Sequence, residues 1–81
     1  MDNSGWWSKP VRIRIGHGTT RIAVTNTVQA ATLLLEQWPG GAGPKHLAAR
    51  KACVAVLEGK APPARARRAF EAAAREADIL G

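Results

Sequence analysis

"PVRIRIGHGTTRIAV", residues 10–24, runs directly into "TNTVQAATLLLEQW", residues 25–38, and the change of apolar period between the two decides the fold. In the first stretch Val11, Ile13 and Ile15 alternate with Arg12 and Arg14, the two-residue period of a strand with one apolar face. Gly16-His17-Gly18 supplies a turn, and Ile22 and Val24 restore the apolar side. A β-hairpin over 10–25 follows. Two strands are marginal alone, so other elements must cover Val11, Ile13, Ile15, Ile22 and Val24.

In the second stretch the period becomes 3.6. Asn26, with Gln29 three residues on, is a capping-box pattern that starts a first helix. Val28, Ala31, Leu34, Leu35 and Trp38 are read as its apolar face, and Pro39 with the glycines after it stops the helix. Pro44 suits the first position of a second helix, which ends near Glu58 with Gly59 as its stop. Ala49, Ala52, Cys53, Val56 and Leu57 lie on one side of it, with Leu47 and Val54 flanking. So broad an apolar surface predicts a central helix. "APPARARRAFEAAAREADIL" gives a third helix from Pro63, with a narrow stripe of Ala66, Ala69, Phe70, Ala73, Ala77 and Leu80. The expected fold is α+β, with an N-terminal two-stranded antiparallel hairpin packed on three α-helices (ββααα). Residues 1–81 are read as a single domain: a loose N-terminal segment over 1–9, the hairpin over 10–25 and three helices over 26–80. Trp6 and Trp7 are the exception in the loose segment, since at least one should dock on the core.

The 81 residues carry twelve Lys and Arg against six acids, a net charge of +6. Such a balance favours polyanionic partners through its long-range field. Arg12, Arg14 and Arg21 share the solvent face of the hairpin, and a basic β-ribbon can enter a major groove. The bland alternative is a solvated face that discourages edge-to-edge pairing. Open strand edges and the uncovered apolar face tip the reading towards a twofold homodimer, against the repulsion of the arginine face. No apolar run reaches the roughly 20 residues of a membrane span, and no signal peptide is visible. One cysteine makes no internal disulfide, so a reducing cytoplasm is the expected compartment.

"WPGGAGPKH", residues 38–46, raises a sharper question. Glycines before a helix N-terminus can admit an anion to unpaired backbone N–H groups, with Gly41, Gly43, Lys45 and His46 as the candidate contacts. Against that, a helix rather than a strand precedes the loop, Pro44 breaks the glycine–lysine step and removes a donor, and a helix–helix joint is the stronger reading. His46 and Cys53 stand about 10 Å apart along one helix, too far for a nucleophile–base pair. Two histidines and one cysteine at these spacings form no zinc signature. Glu71 and Arg75 are read as a surface i,i+4 pair. No catalytic residue, metal site or cofactor is assigned.

Trp7, Pro10-Val11, Ala30, Trp38-Pro39, His46, Ala49, Cys53, Leu57, Gly59 and "ARRAFEAAAREA" at 66–77 also occur in a telling order. In that order the chain resembles the bacterial family of domains of unknown function numbered 982, from about Trp7 to Leu80. The resemblance implies a small single-domain bacterial protein and carries no activity, substrate or catalytic residue. The leading functional expectation is a non-enzymatic cytoplasmic interaction or regulatory module with a protein partner. Nucleic-acid binding through Arg12, Arg14 and Arg21 is the alternative, and small-anion binding at the glycine loop ranks below it.

Overall fold

A computed structural model describes residues 5–15, 20–39 and 43–81. The elements run β1 (Trp6–Ile15), β2 (Thr20–Asn26), α1 (Thr27–Glu36), α2 (Pro44–Leu57) and α3 (Pro63–Glu76). This is the α+β, ββααα arrangement: a two-stranded antiparallel sheet followed by three helices. The turn Gly16-His17-Gly18 lies outside the described residues.

Val11 pairs with Val24 and Ile13 with Ile22, while Arg12 faces Ala23 and Arg14 faces Arg21. The two-residue period therefore sorts the sheet into an apolar side and an arginine side, and Val11, Ile13 and Val24 are buried. β1 begins at Trp6, ahead of the hairpin boundary read at residue 10. Trp6 pairs with Asn26, and the register slips between Trp6 and Val11. Within the slipped stretch the Lys9 carbonyl accepts a hydrogen bond of 2.8 Å from Arg67 Nε of α3.

The junction between β2 and α1 sets which side of the first helix faces in. Asn26 Oδ1 accepts from the Gln29 backbone N–H at 2.8 Å, and Gln29 Oε1 accepts from the Thr25 N–H at 3.0 Å. The expected cap is present, with the return bond one residue earlier than in the usual box. Thr27 is fully buried. Its Oγ1 accepts from Trp7 Nε1–H at 3.2 Å and donates to the Gly5 carbonyl at 3.0 Å, and its N–H donates to the same carbonyl. These bonds satisfy a polar group in the core and fix the helix rotation. The row Thr27, Ala30, Leu34, with Leu33 beside it, turns inward, and Val28 and Leu35 are left about 60% exposed (59% and 63%). The apolar face read from the sequence is thus displaced by one residue around the helix.

α2 packs against both α1 and α3, as its apolar surface predicted. His46, Ala49, Cys53 and Val56 are buried, whereas Leu47, Val54 and Leu57 stay about half exposed. Phe70 of α3 sits between Trp7 and Trp38, with ring centroids 5.5 Å from each. Trp7 is the tryptophan that docks, and Trp6 is exposed.

α2 and α3 end in the same way. Beyond α2, Gly59 N–H donates to Val56 O and Lys60 N–H to Ala55 O, with Gly59 at φ 77°. Beyond α3, Asp78 N–H donates to Arg75 O and Ile79 N–H to Ala74 O, with Asp78 at φ 59°. Both are Schellman motifs, the second built on an aspartate in place of the favoured glycine. The second motif turns the chain back onto β1. Arg14 N–H donates to Ile79 O at 2.7 Å, Gly81 N–H donates to Arg12 O at 2.9 Å, and Ile13 pairs with Leu80. The outer edge of β1, expected to be open, is therefore covered at residues 12–14 by residues 79–81 of the same chain.

Candidate functional site

His46 comes first, because two candidate chemistries met there. Its Nε2 lies 2.7 Å from the Leu34 carbonyl, so Nε2 carries the proton and donates. Leu34 belongs to the last turn of α1, whose carbonyls have no partner within the helix. His46 closes that helix end from α2, and its ring packs on Trp38 at a centroid distance of 5.7 Å. The side chain is buried, and its Nδ1 has no hydrogen-bond partner among the described residues.

The rest of the glycine loop has a similar local logic. Gly41 lies outside the described residues. Gly43 is the extended N-cap of α2, Pro44 follows at the first helical position, and Lys45 is exposed. A Cβ placed on Gly43 would come within 2.6 Å of Glu76 Oε1. The chain's own carboxylate therefore already lies against the positive end of α2, where an external anion would meet it.

Cys53 is fully buried, and desolvation pushes its thiol from 9.0 up to about 11. It is a core thiol with little thiolate at neutral pH. No group of three or more His, Cys, Asp or Glu residues is placed to hold a metal among the described residues. No described helix is long and apolar enough to cross a membrane.

The arginines divide. Arg12 and Arg21 are exposed on the same side of the sheet. Arg14, between them, is half-buried, and its Nη2 donates to the Asp78 carbonyl at 3.0 Å. It braces the returning chain beside β1. On α3, Glu71 pairs with Arg67 at 3.7 Å instead of with the expected Arg75. Arg67, already fixed on the Lys9 carbonyl, offers the more ordered cation.

An open groove between α1 and α2 was not singled out from the sequence. Because α1 is rotated by its Thr27 anchor, Leu35 faces solvent beside Leu47 and Val54 of α2, next to the partly buried Ala31. With Arg50 and Lys51 on the rim they line an open groove of about 400 Å³ between the two helices. Leu35, Leu47 and Val54 are 63%, 47% and 53% exposed. A large apolar residue exposed singly is ordinary, but these three line one concavity and form a shared exposed apolar patch. The available signal was the excess of apolar positions on the second helix, more than one buried face requires.

A family model described as "Protein of unknown function (DUF982)" matches residues 9–81. Neither the curated proteins nor the solved structures contain a match to the chain.

Proposed function

Because the chain belongs to the DUF982 family, whose description assigns no activity, we propose from the geometry that it is a non-enzymatic cytoplasmic interaction module that docks a protein partner along the α1–α2 groove. One observation carries this reading: Leu35, Leu47 and Val54 converge on a single concave surface while remaining about half exposed or more. Polar residues at these positions would cost the fold little and would remove apolar solvent exposure. Leucine and valine at these positions suit a surface that is covered on binding. The groups with chemical potential elsewhere have structural work that supports a non-enzymatic role: His46 caps α1, and Cys53 fills the core.

A photo-crosslinking amino acid placed at Val54 tests the proposal, with a second placed at Ala23, exposed on the arginine side of the sheet. The groove reading expects a discrete protein adduct from position 54, lost on Leu35→Gln, and none from position 23. Adducts from position 23 alone would overturn it.

Nucleic-acid binding is the second reading, favoured by Arg12 and Arg21, which lie exposed on one face without an ion pair among the described residues. It expects duplex affinity to fall with salt by a slope of about −0.9 per phosphate neutralised. Arg12→Gln/Arg21→Gln should flatten that slope by about two phosphates. No binding at low salt would end it.

A further inference from the structure

The occupant of the groove can be specified further, resting on the docking reading above. Leu47 and Val54 are seven residues apart on α2, about 10 Å along its axis. Ala31 and Leu35 run beside them on α1. An apolar trough between two packed helices, about two turns long, fits a third helix laid into it, with anchors at i, i+3 or i+4, and i+7. The groove is open to solvent, so an occupant seated in it keeps one side in water. An amphipathic helix has such a side; an acyl chain does not.

The rim supplies the charge. Arg50 and Lys51 flank the apolar floor and are both exposed. The two ion pairs among the described residues lie elsewhere, Lys60 with Glu58 and Arg67 with Glu71. The chain as a whole carries +6. A second copy packed groove to groove would bring two such cationic rims together, each on a strongly basic molecule, and like charges across an interface repel. We infer that the α1–α2 groove, with its apolar floor of Ala31, Leu35, Leu47 and Val54 and its Arg50–Lys51 rim, binds an amphipathic helical segment of a partner protein whose apolar anchors are flanked by Asp or Glu.

Fluorescence anisotropy with three labelled, alanine-based helical peptides tests this on the full chain. One carries leucine anchors flanked by Glu, one the same anchors flanked by Lys, and one Glu flanks with the anchors changed to Gln. The expected result is that the first binds at least about tenfold more tightly than the other two, increasingly so at low salt. Arg50→Glu/Lys51→Glu, both surface changes, should reverse the preference between the Glu and Lys peptides. Equal binding of those two peptides, abolished by Leu35→Gln/Val54→Gln, overturns the acidic partner and leaves the docking groove standing. Binding of neither, or binding that survives Leu35→Gln/Val54→Gln in a chain shown by circular dichroism to be folded, overturns the docking reading as well. A mass that rises above 8.6 kDa with concentration in sedimentation, and returns to it in that variant, identifies a second copy as the occupant and overturns the inference.

Discussion

Replacing His46 by alanine separates a structural brace from an anion ligand. The imidazole is buried, donates from Nε2 to the Leu34 carbonyl at 2.7 Å, and packs on Trp38. Its removal leaves the Leu34 carbonyl without its partner, at about 1–3 kcal/mol for a buried acceptor. The lost ring contacts add a cavity cost, so the total should be about 2–4 kcal/mol. Against a typical stability of about 5–15 kcal/mol, that is a large fraction. In a domain of this length each kcal/mol moves the melting temperature by about 4–8 °C, so the variant should melt at least about 8 °C lower. His46→Gln, which keeps a donor, should recover part of the loss, and His46→Leu, which keeps apolar bulk alone, should recover a different part. Urea unfolding followed by far-UV circular dichroism, with the slope held constant, gives the three values. A loss below about 0.5 kcal/mol for His46→Ala would refute the brace, since that is the range of ordinary surface changes.

Three further outcomes follow from the same geometry. Asp78→Gly should stabilise the chain by about 0.5–1 kcal/mol in thermal unfolding, because Asp78 holds φ 59° where glycine is favoured; a loss would mean that the aspartate side chain contributes more than its backbone strain. Burial raises the Cys53 thiol from 9.0 to about 11, so the unfolded chain loses this proton first and stability present below pH 9 is lost as pH rises towards 11. The decline attributable to the thiol is at most about 1.4 kcal/mol per pH unit, and Cys53→Ala should lack it; identical pH profiles for the two proteins would contradict the assignment. Trp7→Ala should cost about 3–5 kcal/mol through its contacts with Phe70 and Thr27, while Trp6→Ala should stay within about 0.5 kcal/mol, and equal losses in urea unfolding would show the docked tryptophan to be misidentified.

The hairpin and helix order were legible because each rests on a local pattern. Alternating Ile and Arg residues sorted the sheet faces, Asn26 and Gln29 marked a helix start, and Gly59 marked a stop. What escaped the sequence depended on contacts between distant residues. Two adjacent rows of α1 compete for the core, one headed by Thr27 and one by Val28. Hydrophobicity favours Val28. The row that wins is the one whose threonine finds Gly5 and Trp7 as hydrogen-bond partners. That choice displaces Leu35 into solvent and creates the groove, so the candidate site was hidden for the same reason as the helix rotation. The covered edge of β1 was equally illegible, since it depends on an aspartate adopting a left-handed conformation that sequence assigns to glycine. His46 could be excluded from a dyad by spacing alone, but its service to the end of α1 needed the helix packing to be seen.

The central claim is that Leu35, Leu47 and Val54 form a surface built to be covered by a partner helix. Intermolecular nuclear Overhauser effects between the Glu-flanked peptide and methyl-labelled chain test it most directly. The account predicts cross-peaks from the peptide's leucine anchors to the methyl groups of Leu35, Leu47 and Val54, and none to buried Ile13 or Val24. Cross-peaks confined to residues outside the groove, or a saturated complex with none to those three side chains, would contradict it.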